Sequence, residues 1–311
     1  MKLAFVFPGQ GSQSVGMMDV WAGNSAAADV LARAGQALGQ DLAALIAQGP
    51  AEQLNLTTNT QPAMLTAGVA CFAAWRDAGG PLPALMAGHS LGEYAALTAA
   101  GSLALEDAVR LVRIRADAMQ AAVPVGAGAM AAILGLDDDT VRAVCLQSAQ
   151  GEVVEAANFN APAQVVIAGH KAAVERVCEA AKAAGAKRAL LLPVSAPFHS
   201  SLLQPAAAVL SGALAEVAVQ SPQVPVVNNV DVVVQSEPSA ICDALVRQAW
   251  HAVRWVETLQ FMKAQGVTHV VEFGPGKVLT GLTKRIDSEL TGLAVTDPAS
   301  LEAALALVKG N

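Results

Sequence analysis

The sequence predicts an α/β protein in which a large domain, built on a mainly parallel sheet, carries a small inserted domain of different topology. Two observations predict this fold class. Short apolar runs of strand length alternate with helical patterns over most of the 311 residues, as in a layered sheet covered by helices. Between residues 126 and 195 the order of elements changes to βαββαβ, which is the order of a ferredoxin-like unit.

Composition restricts the class of protein further. Hydrophobic residues make up 54% of the chain and charged residues 14%, which argues against disorder. No uninterrupted apolar run approaches the roughly 20 residues that cross a bilayer. The first run, Leu3–Phe7, ends at Pro8-Gly9, too early for a signal-peptide core. We therefore expect a cytoplasmic protein without a membrane partner.

Charge and cysteine usage restrict the partners. The formal net charge of −7 and the lack of a basic, aromatic-rich patch disfavour nucleic acid, but an acidic protein could still dock on a local basic surface. The cysteines form no C-x-x-C pair, so we expect free thiols and no metal site. They are Cys71, Cys145, Cys178 and Cys242.

The N-terminal part begins with the strand Leu3–Phe7 and a glycine-rich loop at 8–13. This loop is not a dinucleotide fingerprint, because Ser14 occupies the position of the third glycine in G-x-G-x-x-G. Helical patterns follow at 26–38 and 41–48. The segment 59–62, which ends in Pro62, is predicted to break the chain before a further helix through Trp75.

The motif Gly88-His89-Ser90-Leu91-Gly92 follows an apolar run at 82–87. A helical pattern at 91–100 comes directly after it and closes on Gly101. G-x-S-x-G between a strand and a helix is typical of a nucleophile elbow, in which the serine has a positive φ and the glycines relieve crowding. The pattern predicts Ser90 as a nucleophile in a hydrolase-like large domain. The alternative is a serine that only caps the helix.

The helical pattern at 102–122 directs an arginine toward the interior. Ser102 is predicted to cap this helix, with Glu106 and Asp107 in its first turn. Arg115 lies on the apolar stripe, where an unpaired charge would cost several kcal/mol, so it requires an anion. That anion is either a substrate carboxylate, bound by the planar guanidinium, or a structural Asp or Glu. The stripe consists of Ala108, Leu111, Val112, Ala118, Met119 and Ala122.

A Gly- and Pro-rich segment at 123–128 marks the start of the inserted domain. Strands are predicted at 129–134, 153–158, 164–168 and 188–193, and helices at 138–148 and 171–184. We expect this ferredoxin-like domain to span 126–195, so that the large domain comprises 1–125 and 196–311.

The returning chain contains the most suitable general base. A helix is predicted to open at 197–200 and another to span 278–286, with strands at 224–228 and 270–273. Among the five histidines, His199 lies at the predicted junction between the domains, where ligand clefts form. No aspartate or glutamate stands out as the partner that would orient it.

Five features occur in a recognisable order along the chain. They are F-P-G-Q-G-S-Q at 7–13, G-H-S-L-G-E-Y at 88–94, Arg115, P-F-H-S at 197–200 and F-G-P-G-K at 273–277. Together they resemble the malonyl-CoA:acyl-carrier-protein transacylases of type II fatty acid synthesis. The resemblance covers essentially all 311 residues.

The resemblance implies a role for each matching residue of the catalytic machinery. Ser90 would be acylated, and His199 would act first as base and then as acid. The backbone amides of Gln10 and Leu91 would form the oxyanion hole. The main-chain carbonyl of Gln248 would orient the histidine in place of a carboxylate, which is a variant of triad logic.

For the substrate, the resemblance implies that Arg115 holds the free malonyl carboxylate and that Asn160 and Gln61 line the cleft. Malonyl would pass from malonyl-CoA to Ser90, and then to the phosphopantetheine thiol of acyl carrier protein, in a ping-pong reaction. Because a thioester is already activated, we expect no metal or redox cofactor.

An acidic carrier protein requires local positive charge on a chain of net charge −7. Two basic pairs, Lys187-Arg188 and Lys284-Arg285, are candidates for this docking surface. The alternative is that both pairs only complement the C-terminal ends of helices.

Other functions remain open on the sequence. A malonyltransferase subunit of a malonate decarboxylase would use nearly the same residues. A serine thioesterase or lipase also uses G-x-S-x-G, but prefers a histidine oriented by a carboxylate and has no use for Arg115. A binding module without activity would leave Ser90, His199 and Arg115 unexplained.

Overall fold

The computed structural model describes residues 1–310, whose strands form two separate sheets. The strands are β1 (Leu3–Phe7), β2 (Leu85–Gly88), β3 (Gly128–Leu134), β4 (Val154–Ala161), β5 (Gln164–His170), β6 (Arg188–Leu191), β7 (Val226–Val227), β8 (His269–Phe273) and β9 (Thr291–Val295). The helices are α1 (Ser25–Leu38), α2 (Leu42–Gln48), α3 (Ala51–Leu54), α4 (Thr57–Asp77), α5 (Gly92–Ala99), α6 (Leu105–Ala121), α7 (Asp138–Ser148), α8 (Lys171–Ala183), α9 (Gln204–Ala215), α10 (Pro238–Gln248), α11 (Trp255–Ala264), α12 (Val278–Ile286) and α13 (Pro298–Lys309).

The larger sheet has the strand order β7-β2-β1-β8-β9, and its ladders are parallel. In the ladder between β1 and β2, Phe7 lies opposite Gly88. The carboxyl ends of these neighbouring strands therefore bring the loop at 8–13 and the elbow to the same edge of the sheet, which is where open α/β sheets bind ligands.

Helices cover both faces of this sheet, as a parallel sheet requires. Phe5 and Phe7 point to the face covered by α4, where the Phe5 ring lies 5.6 Å from that of Trp75 in an edge-to-face arrangement. Ala4 and Val6 point to the opposite face and pack in a second cluster with Trp255 of α11. Because side chains pack on both faces, the ends of the strands that carry the elbow and the loop at 8–13 are held in place.

The smaller sheet is antiparallel, with the strand order β4-β5-β3-β6. Its elements follow one another as β3-α7-β4-β5-α8-β6, the βαββαβ order that the sequence predicts. One face, with Ile133, packs against α7 and α8, while Met130 and Val166 belong to the opposite face and reach the elbow. The predicted fold class is confirmed, whereas the boundaries at 125/126 and 195/196 stay predictions.

Two of the predicted local features are wrong. Pro62 does not break the chain but lies inside α4, which begins five residues earlier at Thr57. The burial of most residues of α4 outweighs the single main-chain hydrogen bond that proline removes. Ser102 does not cap α6, which begins at Leu105, because the Ser102 hydroxyl donates instead to the carbonyl of Gln220 at 2.6 Å.

Some strand boundaries also differ from prediction. The strand predicted at 224–228 is reduced to β7, because the amide of Asn228 donates to the carbonyl of Val233 and turns the chain out of the ladder. In the smaller sheet, β4 continues to Ala161 rather than ending at 158, and β6 ends at Leu191. None of the helices in the described range 1–310 has the length and apolar character of a membrane-spanning segment.

Candidate active site

The elbow places Ser90 between the end of β2 and the start of α5. Its φ of 54° is positive, as the sequence predicts. A Cβ atom on Gly88 would lie 1.8 Å from the carbonyl carbon of Gly92, and one on Gly92 would lie 2.1 Å from the carbonyl oxygen of Phe7. Both glycines are therefore required for the tight turn that exposes the serine hydroxyl.

The imidazole of His199 contacts the hydroxyl of Ser90. Its Nε2 lies 2.6 Å from Ser90 Oγ, and its Nδ1 lies 3.0 Å from the carbonyl oxygen of Gln248 and 3.1 Å from that of His251. Because both neighbours of Nδ1 are acceptors, Nδ1 carries the proton and Nε2 is left to accept one from the serine. No carboxylate contacts this imidazole within residues 1–310.

Burial is the largest cause that lowers the pKa of His199, and the charge of Arg115 and the proximity of His89 add to it. The pKa falls from 6.5 to about 3, so the ring is neutral at physiological pH. A neutral imidazole in hydrogen-bond contact with a serine hydroxyl is suited to general-base chemistry.

Arg115 projects from α6 into the same space, with 2% of its surface exposed. Its guanidinium donates to Gln61 Oε1 at 2.7 Å, to Gln248 Oε1 at 2.9 Å and to Ser90 Oγ at 3.1 Å. All three acceptors are neutral, and within the described part of the chain the guanidinium forms no ion pair with a carboxylate. The structural Arg–carboxylate pair, which the sequence left open as an alternative, is therefore absent from residues 1–310, and the buried cation can bind an anion beside the serine.

The two predicted oxyanion donors lie on neighbouring strand ends. Leu91 directly follows Ser90, and Gln10 lies in the loop after β1, which contacts the elbow through the bond from His89 N–H to Phe7 O at 2.9 Å. Neither the amide of Leu91 nor that of Gln10 has a hydrogen-bond partner anywhere in the range 1–310. The side chain of Gln10 accepts from Thr57 Oγ1 at 3.0 Å.

A cavity of about 190 Å³ lies between the two sheets, with Ser90, Arg115 and His199 among its lining residues. Gln61, Asn160 and the small-sheet residues Met130 and Val166 also line it. A second cavity of about 190 Å³ shares Gln10, His89 and Asn160 with the first and extends toward α12. The two cavities form one elongated cleft, which six of the eight predicted site residues line, whereas Leu91 and Gln248 do not line it.

His89, beside the nucleophile in sequence, packs away from it. Its Nε2 lies 2.8 Å from Asn160 Oδ1, and its ring lies 5.5 Å from that of Trp255. A wider depression of about 450 Å³ lies behind His199, against Trp250 and His251, but neither Ser90 nor Arg115 lines it. The narrower cleft is therefore the candidate site.

Sequence reasoning missed two polar residues that support the elbow. Asn229 accepts from the Ser90 amide at 2.7 Å and donates to the Gly88 carbonyl at 2.7 Å. Glu93, in the first turn of α5, is 2% exposed and accepts from the amide of Asn229 at 3.0 Å. The position of Asn229 just after β7, beside β2, is the signal that could have indicated it.

No group of three or more histidine, cysteine or acidic side chains suited to a metal occurs among residues 1–310.

The model of the acyl transferase domain family matches residues 4–295. The chain belongs to the acyl transferase family. This acyl transferase is 58% identical over 305 residues to the malonyl CoA-acyl carrier protein transacylase of Salmonella typhimurium, covering 98% of this chain and 99% of that one.

Solved structures of this family superpose closely on the acyl transferase. The acyl-carrier-protein S-malonyltransferase of Burkholderia pseudomallei has a TM-score of 0.97 and 65% identity, covering 98% of this chain and 99% of the other. A malonyl-transacylase in complex with its type II PKS acyl-carrier protein has a TM-score of 0.97 and 52% identity, with 100% of both chains covered.

Proposed function

We propose that this acyl transferase moves malonyl from malonyl-CoA to the phosphopantetheine thiol of acyl carrier protein, through a malonyl-Ser90 intermediate, and so supplies fatty acid synthesis. The observation that carries this proposal is the buried Arg115, which forms no ion pair in the range 1–310 and contacts the hydroxyl of the serine that His199 also contacts. This pairing suits an acyl group that bears its own carboxylate. Relatives at 57–58% identity over nearly the whole chain are malonyl CoA-acyl carrier protein transacylases, which supports the same reaction.

In the first half-reaction, Ser90 Oγ attacks the thioester carbon while its proton passes to His199 Nε2. The carbonyls of Gln248 and His251 hold the Nδ1 proton and stabilise the imidazolium that forms. In this proposal the unpartnered amides of Leu91 and Gln10 stabilise the oxyanion. The carbon–sulfur bond then breaks, and the CoA sulfur leaves with the proton from His199.

Arg115 would bind the malonyl carboxylate during this step. The guanidinium already has neutral acceptors on Gln61 and Gln248, so a carboxylate can replace its contact with the serine without breaking an ion pair. Asn160 and Gln61, which line the cleft, are proposed to contact the substrate.

In the second half-reaction the thiol of the carrier arm attacks the malonyl ester. His199 takes the thiol proton, the ester carbon–oxygen bond breaks, and the proton returns to Ser90 Oγ. In this proposal the protein needs no cofactor, because the thioester supplies the activation. The proposal also places the reaction in the cytoplasm, which the four unpaired cysteines favour.

The docking of the carrier is proposed at the outer end of the small sheet, where the two basic pairs lie on either side of β3. Arg188 of β6 and Gln164 of β5 both lie opposite Leu134 of β3, and Arg285 of α12 donates to the Gln164 side chain. Val166, two residues further along β5 on the same face, lines the cleft. We propose that Lys187, Arg188, Lys284 and Arg285 bind the acidic carrier while its arm enters the cleft.

The test is mass spectrometry of the protein after incubation with malonyl-CoA alone. The wild type should gain one malonyl mass and Ser90→Ala none, and the labelled enzyme should then transfer malonyl to acyl carrier protein. A malonyl adduct that persists in Ser90→Ala would refute the assignment of the nucleophile. Transfer to a malonate decarboxylase carrier but not to a fatty acid synthesis carrier would favour the decarboxylase subunit, and release to water would favour a thioesterase.

A further inference from the structure

Glu93 is a buried carboxylate that none of the steps above employs. It lies three residues after Ser90, is 2% exposed, and forms no ion pair within residues 1–310. One oxygen, Oε2, accepts both from the side-chain amide of Gln248 at 3.0 Å and from the main-chain amide of Asn229 at 3.0 Å.

The amide of Gln248 links this carboxylate to the arginine of the site. Its Nε2 donates to Glu93 Oε2 and also to the Ser90 carbonyl at 2.8 Å, and its Oε1 accepts from Arg115 at 2.9 Å. The side chain is 0% exposed, so every one of these polar contacts is made inside the protein. The main-chain carbonyl of the same residue holds the His199 ring at 3.0 Å.

An amide side chain has one donor end and one acceptor end, and only one orientation suits this site. With the amide reversed, its nitrogen would face the donors of Arg115, and its oxygen would face the carboxylate of Glu93 and the carbonyl of Ser90. Glu93 and the Ser90 carbonyl together keep the nitrogen on their side, so that the oxygen faces the guanidinium.

We infer that Glu93 is a positioning residue: by holding the Gln248 side chain, it fixes the guanidinium of Arg115 where an acyl carboxylate binds. Through Asn229, whose side chain accepts from the Ser90 amide, it also supports the turn that carries the nucleophile. This inference rests on the proposed function, because it assigns Glu93 to selection for the malonyl carboxylate.

The role belongs to an oxygen acceptor rather than to a negative charge. Burial raises the pKa of Glu93 to about 7, and both donors are accepted by the same oxygen, which can accept them in either protonation state. Glutamine at position 93 can present its carbonyl oxygen to the same two donors, whereas alanine removes the acceptor.

The experiment measures acylation of Ser90 in the full chain by malonyl-CoA and by acetyl-CoA, with time-resolved mass spectrometry, and reports the ratio of the two kcat/KM values. Glu93→Ala should lower the malonyl-to-acetyl ratio on the order of 10-fold, because two buried donors lose their acceptor. Glu93→Gln should restore most of the ratio. Glu272→Ala is the matched control. It removes a second buried carboxylate, which is 0% exposed and accepts from main-chain amides at the start of α12, so the ratio should stay unchanged.

Gln248→Ala keeps the main-chain carbonyl on His199 and tests the inference even if Glu93→Ala fails to fold. It should lower the malonyl-to-acetyl ratio as Glu93→Ala does, and adding Glu93→Ala to it should change the ratio little, because the two residues act through one contact. An unchanged ratio in folded Glu93→Ala or in Gln248→Ala would overturn the inference, as would an equal loss in Glu93→Gln and Glu93→Ala. If the wild type accepts no malonyl on Ser90, the proposed function itself fails, which is a separate outcome.

Discussion

At the scale of single residues, the charge of Arg115 distinguishes this site from a general acyl-binding cleft. Arg115→Ala should raise the activation free energy of malonyl transfer by about 2–5 kcal/mol, which is the range for removing one partner of a buried charge pair. Acetyl has no carboxylate, so acetyl transfer should fall less or even rise. Single-turnover rates with malonyl-CoA and acetyl-CoA measure the difference.

Arg110 supplies a control on the same helix. It is more than half exposed and pairs with Asp107 at 3.2 Å, so Arg110→Ala should leave both rates nearly unchanged. Equal losses of malonyl and acetyl transfer in Arg115→Ala would mean that Arg115 only supports the fold.

The environment of His199 predicts an unusual pH profile. Because its pKa is lowered from 6.5 to about 3, the free base persists well below pH 6.5, and Ser90 acylation should keep its rate through that pH. The same shift makes stability depend on pH. The contribution of His199 to the free energy of unfolding is fully present above pH 6.5 and is lost progressively toward pH 3. As the pH falls, His199 binds a proton in the unfolded chain before it does so in the folded protein.

Acylation rates from pH 4 to 8, paired with thermal unfolding at each pH, would check both parts of this prediction. A limb in kcat/KM for malonyl-CoA centred near pH 6.5 would show that His199 titrates as an ordinary exposed histidine, and would contradict its burial as the dominant influence.

The sequence was informative about single residues where a local pattern carried the chemistry. The positive φ of Ser90 follows from G-x-S-x-G, and the inward direction of Arg115 follows from helical spacing. Glu93 and Asn229 were not predicted, because their contacts join segments about 136 residues apart in sequence and depend on the register of β7 beside β2. No local pattern encodes such a contact.

At the scale of elements, the crossing of the elbow and β1 leaves no room for a side chain at Gly92. Gly92→Ala places a Cβ 2.1 Å from the Phe7 carbonyl oxygen, so the backbone must shift. We expect a loss of about 2 kcal/mol or more in the free energy of unfolding, with nearly complete loss of acylation, since strain and overpacking act together. Denaturant unfolding and malonyl labelling measure the two effects.

Gly281 is the matched control, because it lies inside α12 and a Cβ there meets nothing within 4 Å. Gly281→Ala should raise the free energy of unfolding by about 0.5–1 kcal/mol through helix propensity. If Gly92→Ala were tolerated as well as Gly281→Ala, the crossing would not be as tight as its geometry indicates.

The elements that the sequence predicted well are those with strong periodicity and clear ends. The helices at 138–148 and 278–286 have the predicted bounds. The prediction was wrong at Pro62, where tertiary burial of α4 outweighs a local helix breaker, and at Ser102, whose hydroxyl finds a partner far along the chain. Both errors come from long-range packing, which propensity does not include.

At the scale of the whole molecule, the two sheets form different parts of the site. The carboxyl ends of β1 and β2 hold the elbow and the loop at 8–13, while the small sheet supplies the apolar opposite wall through Met130 and Val166. The outer end of that wall is where the two basic pairs lie, and all four of their side chains are exposed. In the proposal above, these pairs form a positive rim from which the carrier arm enters the cleft.

This arrangement predicts how the molecule binds an acidic carrier although its net charge is −7. The overall field repels the carrier, so association depends on the local positive rim, whose attraction is screened by salt. Reversing Lys187, Arg188, Lys284 and Arg285 to Glu should raise the KM for acyl carrier protein on the order of 10-fold at low ionic strength, and less at high.

Loading with malonyl-CoA isolates this effect from the chemistry, because acylation of Ser90 does not require the carrier and should change little in the reversed protein. A double variant, Arg188→Glu with Arg285→Glu, tests the rim alone. Its control is the double variant Lys171→Glu with Lys309→Glu, which changes the net charge by the same amount. Lys171 follows the opposite end of β5, and Lys309 lies at the end of α13, so neither belongs to the rim. If the control raises the carrier KM as much as the rim variant does at low salt, net charge rather than this surface governs docking. If the KM is unchanged even in the fourfold reversal, the carrier binds elsewhere.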